Sequence, residues 1–148
     1  MSYCLDLAGK RAFVSGGSRG LGREMALALA QGGADVALVA RGSEALEKTA
    51  EDIRSVGRDA WTFEADLGDP EAVEAVCASV LEVAGPLDIV INNVGGRRVN
   101  VATEKLDLAT WRQLIDLNLT ATFVCSRVFG GAMIDAGRGG RIINVASI

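Results

Sequence analysis

The sequence predicts an α/β protein in which helices cover both faces of a parallel β-sheet. Short apolar runs alternate with segments of helical periodicity along the whole chain of 148 residues, as in consecutive βαβ units. The chain contains 18 glycines but only 2 prolines, so the glycines indicate tight turns and close backbone approaches rather than disorder. No linker, repeat or low-complexity tract interrupts the pattern, so we expect one packed domain.

The first half of the chain contains three predicted strands and two predicted helices. Residues 12–15, 36–40 and 60–63 are apolar runs that predict buried strands. The helix after the first strand is expected to end at Gly32 and Gly33, and its apolar residues at helical spacing are Leu21, Met25, Ala28 and Leu29. Ser43 is placed to cap the next helix, which is expected to end at Gly57 and to bury Leu46, Ala50 and Ile53.

The third helix has the clearest boundary signals. Asp69 predicts its N-cap, Pro70 its first residue, and Gly85 its end. Four apolar residues share one face and are expected in the core: Val73, Val76, Cys77 and Val80. Beyond it we predict strand four over 87–91, a long amphipathic helix over 106–130 and strand five over 140–146.

Composition excludes several classes of function. The 15 Lys and Arg against 19 Asp and Glu give a net charge of −4 with scattered basic residues, which argues against a nucleic-acid partner. The absence of histidine excludes Ser-His-Asp and Cys-His catalytic sites and His-ligated metals, and we expect no metal site. Cys4, Cys77 and Cys125 form neither a disulfide framework nor a CxxC motif. With no signal peptide and no long apolar run, we expect a cytoplasmic protein without a membrane partner.

A glycine-rich turn lies between the first strand and the first helix, where residues 15–22 have the sequence SGGSRGLG. Glycine there lets the backbone approach a pyrophosphate, and the helix N-terminus adds free N–H groups and the positive end of its dipole. The alternative is that these glycines serve only the packing of the strand against the helix. Their place at the first crossover of a βαβαβ series favours a phosphate-binding turn.

The GxxxGxG spacing of residues 16–22 resembles that of the short-chain dehydrogenase/reductase family. Four further segments match the family in the same order along the chain. Asp66-Leu67 ends strand three, and residues 92–95, NNVG, are similar to the family's NNAG with valine in place of alanine. Asn118 matches the family's helix asparagine, and Ser147 matches its catalytic serine.

The resemblance implies a Rossmann-like doubly wound sheet with strand order 3-2-1-4-5, which lacks the family's C-terminal strands and helices. Residues 1–148 are expected to form one dinucleotide-binding domain that is incomplete at its C-terminus. The implied catalytic residues are Asn118 and Ser147. The implied cofactor-binding residues are Gly16, Ser18, Arg19, Gly20, Leu21, Gly22, Arg41, Asp66, Leu67, Asn93 and Gly95.

The choice between NADP(H) and NAD(H) depends on the end of the second strand. An NAD site needs a carboxylate there for the ribose 2′-hydroxyl, whereas a 2′-phosphate needs arginine. Arg41 occupies this position without a neighbouring carboxylate, and Arg19 lies in the glycine turn, so NADP(H) is favoured. The alternative is that Arg41 is a solvated loop residue and that NAD(H) binds through other contacts.

Both implied catalytic residues also have ordinary structural explanations. Asn118 shares a helix face with Trp111, Leu114, Ile115 and Thr122, so we expect a buried amide that bonds a backbone group or a water. It could be a core asparagine, and the resemblance implies a part in a proton relay. Ser147 follows strand five, where its hydroxyl can stabilise an oxyanion or simply end a turn. Arg97 and Arg98 either face an anionic substrate or form a solvated pair.

The family's YxxxK motif is absent, because the only tyrosine is Tyr3 and the lysines are Lys10, Lys48 and Lys105. We therefore expect an NAD(P)-dependent oxidoreductase of small carbonyl or alcohol compounds, such as a 3-oxoacyl thioester or a sugar acid, whose 148 residues alone have little or no turnover. The alternative is a non-catalytic dinucleotide-binding or interaction module. A methyltransferase-like domain is a more distant one, against which the glycine spacing and Arg41 argue.

Strand five is expected to present an unpaired edge and an uncovered apolar face when the family's next helix is lacking. We therefore expect the 148-residue chain to be poorly soluble or to be completed by another chain. For a completed chain, the resemblance implies a homo-oligomer, either a dimer or a tetramer.

Overall fold

The computed structural model describes residues 6–96 and 99–146, which contain one five-stranded parallel sheet. Its strands are β1 (Arg11–Ser15), β2 (Asp35–Ala40), β3 (Ala60–Glu64), β4 (Ile89–Asn92) and β5 (Arg141–Asn144). They lie in the order β3-β2-β1-β4-β5, so the predicted Rossmann-like order is confirmed. The winding reverses direction between β1 and β4, and this switch point opens a crevice at the carboxyl ends of the strands.

Helices cover both faces of the sheet. They are α1 (Gly20–Gln31), α2 (Ser43–Ser55), α3 (Pro70–Ala84), α4 (Leu108–Ile115) and α5 (Ala121–Ala136). Because successive strand residues point to opposite faces, Val14 packs with the core under α1 and α2, whereas Phe13 packs with the core under α3 and α5. The two hydrophobic cores therefore meet across β1.

The predicted ends and faces of α2 and α3 are largely confirmed. The Asp69 side chain accepts a hydrogen bond from the Glu71 N–H at 3.0 Å, and the predicted face of α3 is buried. The predicted stripe of α2 is also buried. The cap assigned to Ser43 is wrong, because Ser43 is the first residue of the helix and Gly42 is the N-cap without a side-chain hydrogen bond.

The predicted apolar spacing of α1 is only half correct. Met25 and Leu29 are partly buried and pack against the core, whereas Leu21 and Ala28 are exposed. The fully buried residues of the helix are Gly22, Ala26 and Ala30. Small residues at this spacing let the helix axis approach the sheet closely, so the larger side chains lie beside the closest contact.

The predicted long helix is interrupted. α4 begins after Asp107, whose pKa is held low because the backbone N–H and the hydroxyl of Thr110 both donate to its carboxylate. A π-helical turn, Asp116–Thr120, joins α4 to α5. A π-turn has one more residue than an α-turn, so it rotates the side chains that follow. As a result Leu117 is buried and Asn118 is exposed, which corrects the expectation of a buried Asn118 amide.

The helical stretch from Leu108 to Ala136 is long and apolar enough to cross a membrane by length and composition alone. In the described structure, α5 packs Val124, Cys125 and Phe129 against the sheet. A core helix of a globular domain meets the same criteria in this way.

β5 forms one edge of the sheet. It begins at Arg141 and ends at Asn144, so it is shorter than predicted, and within residues 6–96 and 99–146 it pairs only with β4. All four of its residues are exposed, including Ile142 and Ile143. The expected exposed apolar surface on strand five is therefore confirmed in the part of the chain that is described.

Phe129 anchors α5 to the sheet, because its ring is fully buried and its centroid lies 4.7 Å from that of Phe13. We expect Phe129→Ala to lower the free energy of unfolding by about 3–5 kcal/mol, since it leaves a cavity between helix and sheet. Urea denaturation followed by circular dichroism measures the change. Phe123→Ala is the matched control on the same helix, because the Phe123 side chain is 59% exposed and lies beneath the Arg127 guanidinium. Equal losses in both variants would contradict this role for Phe129.

Candidate functional site

A cleft of about 640 Å³ lies at the carboxyl ends of β1, β2, β3 and β4. All the cofactor-binding residues predicted from the sequence line this cleft except Leu21 and Gly22. Six further residues line the cleft and were not predicted from the sequence: Val39, Ala40, Gly42, Ala45, Ala65 and Val94. Most of them directly follow or end a strand, so the shared edge of a parallel sheet was the signal that could have found them.

Backbone hydrogen bonds hold the glycine turn against the end of β2. Gly16 has a φ of 70°, and the N–H groups of Gly16 and Gly17 donate to the Val39 carbonyl at 2.8 and 3.2 Å. The turn leads directly into α1, whose N-cap residue Arg19 makes no side-chain cap hydrogen bond. The first N–H groups of α1 therefore point at the cleft end of the turn without a cap, where they can bind phosphate oxygens.

Gly22 acts beneath the cleft rather than in its wall. A Cβ at Gly22 would lie 2.2 Å from the Gly16 carbonyl oxygen and 2.6 Å from Asn93 Nδ2. No side chain fits at these distances, so the third glycine of the spacing allows α1 to pack directly on the turn. This contact also explains why Gly22 is buried while its neighbour Leu21 is exposed.

Ser15 joins the turn after β1 to the segment after β4. Its hydroxyl accepts hydrogen bonds from the backbone N–H groups of Asn93 and Val94, both at 2.9 Å. Asn93 Nδ2 donates in return to the Ser15 carbonyl at 3.0 Å. Ser15 is buried, so these bonds satisfy polar groups that water does not reach. Ser15 was not predicted as a site residue, although the sequence places it at the end of the first predicted strand.

Three charged residues line the cleft. Arg19 and Arg41 both line it and are both exposed, so the structure brings the two predicted arginines to one cleft. Asp66 follows β3 and lines the same cleft, where its carboxylate accepts a hydrogen bond from the Gly68 N–H at 2.9 Å. The lining therefore contains two cations and one anion in a chain whose net charge is −4.

Asn118 is held by backbone groups, as expected, although its side chain is not buried. Its Oδ1 accepts a hydrogen bond from the Gly96 N–H at 2.8 Å, and its Nδ2 donates to the carbonyls of Gly96 and Leu114 at 3.1 and 2.9 Å. The amide thus connects the π-helical turn to the loop after β4. This connection places the turn beside the segment that ends in Gly95 and Gly96.

Asn92 points away from the cleft towards α5. Its Nδ2 donates to Ser126 Oγ at 3.2 Å and to Asn144 Oδ1 at 2.9 Å. Its Oδ1 has no hydrogen-bond partner among the described residues, although Asn92 is only 3% exposed. The two asparagines of the NNVG segment therefore have different tasks, because Asn93 supports the cleft and Asn92 connects β4, β5 and α5.

Five residues that were named from the sequence lie outside the described residues. They are Tyr3, Cys4, the loop arginines Arg97 and Arg98, and Ser147, which was predicted to be catalytic. The part of β5 that leads to Ser147 ends at Asn144, on the same edge of the sheet as the cleft.

The fold and the cleft define a Rossmann-like α/β protein with a glycine turn at its switch point. Residues 10–148 match the family described as short chain dehydrogenase, and the chain belongs to this family of oxidoreductases. The family resemblance inferred from the glycine spacing is therefore confirmed.

Similar proteins agree with this assignment. An uncharacterised oxidoreductase of Mycobacterium tuberculosis is 39% identical over 140 residues, which are 93% of this chain and 52% of that protein. Gluconate 5-dehydrogenase of Gluconobacter oxydans is 36% identical over 143 residues, 97% of this chain and 55% of that protein. A metagenomic short-chain oxidoreductase crystallised with NADP has a TM-score of 0.89 and 36% identity, covering 97% of this chain and 64% of its own. The chain thus spans about half the length of the curated relatives it matches.

The close contact at Gly22 predicts a large effect of a single methyl group. We expect Gly22→Ala to lower the free energy of unfolding by roughly 1–3 kcal/mol or more, because the turn and Asn93 must move away. Gly131→Ala is the matched control, since a Cβ at this helical glycine meets nothing within 4 Å. Removing a helix glycine there should be neutral or stabilise by about 0.5–1 kcal/mol. Urea denaturation compares them, and a neutral Gly22→Ala would contradict the contact.

The Ser15 hydroxyl is expected to matter for stability more than an ordinary helix serine. Ser15→Ala leaves two backbone N–H groups without their acceptor and should lower the free energy of unfolding by about 1–3 kcal/mol. Ser79→Ala is the control, because the Ser79 hydroxyl donates only to the Ala75 carbonyl on an exposed helix face. Thermal and urea unfolding measure both, and equal effects would show that the Ser15 bonds are dispensable.

Proposed function

We propose that this chain is the dinucleotide-binding part of an NADP(H)-dependent oxidoreductase that acts on small carbonyl or alcohol compounds. The observation that carries the proposal is one cleft that combines an uncapped helix N-terminus, a glycine turn and two arginines, Arg19 and Arg41. Residues 1–148 form one domain in this proposal, and a further segment completes its C-terminal side. The further segment is supported by the length of the curated relatives, because this chain covers 52% and 55% of two of them.

The cleft fits a nicotinamide dinucleotide. The Gly16 turn and the first N–H groups of α1 would hold the pyrophosphate, because these N–H groups can donate to its oxygens. The glycine at position 22 keeps the turn in this position, since a Cβ there would push the turn out of place. Asp66 and Leu67 would contact the adenine end, and Asn93 and Gly95 would border the nicotinamide end. Ser18, Gly20 and Leu21 belong to the same turn and helix start. When bound, the dinucleotide supplies the hydride that is exchanged with the substrate carbon.

The preference for NADP(H) rests on charge. Arg41 follows β2 at the place where the adenosine ribose would lie, and Arg19 approaches the same cleft from the glycine turn. Two guanidinium groups suit a 2′-phosphate, which offers several oxygens for charge-assisted hydrogen bonds. In an NAD site the ribose 2′-hydroxyl donates a hydrogen bond to a carboxylate, and a guanidinium group cannot accept such a bond.

The catalytic roles that we propose belong to Asn118 and Ser147. Ser147 would donate a hydrogen bond to the substrate oxygen and stabilise the negative charge that develops on it. Asn118 would hold the π-helical turn against Gly96, which keeps the Leu114 carbonyl and its neighbours in place for a proton relay. Because the sequence has no YxxxK motif, we expect the 148 residues alone to turn over little or no substrate.

The substrate class that we propose is a small carbonyl compound or the corresponding alcohol, such as a 3-oxoacyl thioester or a sugar acid. The similarity to gluconate 5-dehydrogenase supports the sugar acid. We also propose a cytoplasmic location and assembly into a dimer or tetramer, without nucleic acid or membrane as a partner. Exposed Trp111 and Phe123 on α4 and α5 support assembly, since large apolar side chains at a surface favour contact with another chain.

A second candidate function is a non-catalytic dinucleotide-binding module. Residues 1–148 contain the lining of the cleft, so binding of a dinucleotide by these residues does not require turnover. An assay of ketone reduction with NADPH distinguishes the two functions, using the 148-residue chain and the same chain extended by a downstream segment that carries YxxxK. Turnover only in the extended chain supports the enzyme. NADPH binding without turnover in both favours the module.

Arg41 provides the sharpest test of the cofactor proposal. We expect Arg41→Ala to weaken NADPH binding by roughly 1.5–3 kcal/mol, with little change for NADH, because only NADPH offers the 2′-phosphate. Fluorescence titration with each cofactor measures the two dissociation constants. Arg112→Ala is the control, since this exposed arginine of α4 does not line the cleft. Equal losses for both cofactors would refute the NADP(H) assignment.

A further inference from the structure

Two cysteines that are far apart in the sequence meet in the core between α3 and α5. The Sγ atoms of Cys77 and Cys125 are 3.7 Å apart, and the two residues are 0% and 1% exposed. Neither residue lines the dinucleotide cleft. Their meeting has no part in the proposed function, so it calls for its own explanation.

The surroundings hold the two sulfur atoms side by side. Both cysteines belong to the core cluster that includes Val80, Val124 and Phe129, so apolar side chains pack around them. An ion pair between Glu74 of α3 and Arg127 of α5 joins the same two helices. Packing and the ion pair together keep α3 and α5 in register at the level of the cysteines.

The two thiols share one hydrogen bond. The Cys77 thiol donates it to Cys125 Sγ at 3.7 Å. This contact and burial raise the pKa of Cys77, because a thiolate in the apolar core lacks solvation. The contact also means that whichever thiol reacts first has the other beside it, ready to react next.

We propose that Cys77 and Cys125 are a buried dithiol that a peroxide oxidises to an intramolecular disulfide between α3 and α5. An S–S bond of about 2.05 Å requires the sulfur atoms to approach from their present non-bonded contact by side-chain rotation and a small shift of the helices. The inference is independent of the proposed function, because it concerns the opposite side of α5 and none of the cleft residues.

The oxidation balances with hydrogen peroxide as the oxidant. One of the two cysteines loses its proton and its thiolate attacks one peroxide oxygen; the O–O bond breaks, a sulfenic acid forms, and the other oxygen leaves as hydroxide, which takes up the released proton and becomes water. The second thiol then attacks the sulfenic sulfur, the S–O bond breaks, and the departing oxygen takes the proton of the second thiol and leaves as water. In sum two thiols and one peroxide give one disulfide and two waters, so the sulfur atoms lose two electrons and the peroxide gains them.

The size and burial of the pair decide which reagents can react. Because both thiols are enclosed, a bulky disulfide reagent reaches them only when the contact between α3 and α5 opens. Hydrogen peroxide is little larger than water and needs a smaller opening. We therefore expect peroxide to oxidise the pair in the folded chain under conditions where a bulky aromatic disulfide leaves Cys77 and Cys125 unmodified.

Mass spectrometry of the peroxide-treated 148-residue chain tests the proposal. Before alkylation, we expect the intact mass of the treated chain to be about 2 Da lower than that of the untreated chain. After the remaining thiols are alkylated, we expect a single cysteine to carry the label. Trypsin places the three cysteines on different peptides, residues 1–10, 59–97 and 113–127. Without reduction, the peptides 59–97 and 113–127 should migrate as one species that a reductant separates.

Matched cysteine variants make the result specific. Cys4→Ser should retain the loss of mass and the cross-link, whereas Cys77→Ala and Cys125→Ala should abolish both. The Cys4→Ser protein retains both Cys77 and Cys125, so its result decides the proposal even if a variant of either core cysteine does not fold. A gain of oxygen on the sulfur atoms without a cross-link, a cross-link that includes residues 1–10, or no oxidation by excess peroxide would each overturn it.

Thermal unfolding shows whether the disulfide fits the native packing. The bond closes a loop between residues 48 positions apart, which restricts the unfolded chain. We expect the oxidised Cys4→Ser protein to melt roughly 5–15 °C above its reduced form. An unchanged or lower melting temperature would overturn the proposal that the two sulfur atoms are placed for a native disulfide.

Discussion

The contact between two loops at the centre of the sheet is the constraint on which the site depends. The glycine turn after β1 and the segment after β4 touch through Ser15, Gly22 and Asn93, with hydrogen bonds of 2.9 to 3.0 Å. There is no room for a Cβ at Gly22, so α1 begins directly above this contact. Because the contact fixes where α1 starts, it also fixes where the free N–H groups of the helix point. The cleft is therefore shaped by packing beneath it as much as by its own lining.

A second group of contacts fixes α5 and the π-helical turn on the sheet. α5 is anchored by Phe129 on Phe13, and the π-helical turn before it is tied to Gly96 by Asn118. Asn92 connects the same helix to β5 through Ser126 and Asn144. These contacts fix where the loop after β4 lies relative to the sheet. Arg19 and Arg41 place positive charge in the cleft of a chain whose net charge is −4.

Helix starts, strand order and much of the cleft lining can be predicted from short segments of the sequence. Asp69 and Pro70 predict the start of α3, because a capping carboxylate and a proline have the same effect wherever a helix begins. The strand order follows from the family resemblance of the glycine turn and the NNVG segment. The lining of the cleft is also largely predictable, because the carboxyl ends of parallel strands meet at one edge.

The sequence by itself determined the class of fold, the family, the glycine turn and the start of α3 at Asp69 and Pro70, because these depend on short-range chemistry. Only the tertiary structure decided which face of α1 is buried, that Asn118 is exposed, and that Cys77 meets Cys125. Each of these depends on a contact between distant segments or on the extra residue of a π-turn. Periodicity assumes a regular helix and counts large apolar residues, so it misses a close approach through Gly22 and Ala26 and the pairing of two thiols across 48 positions.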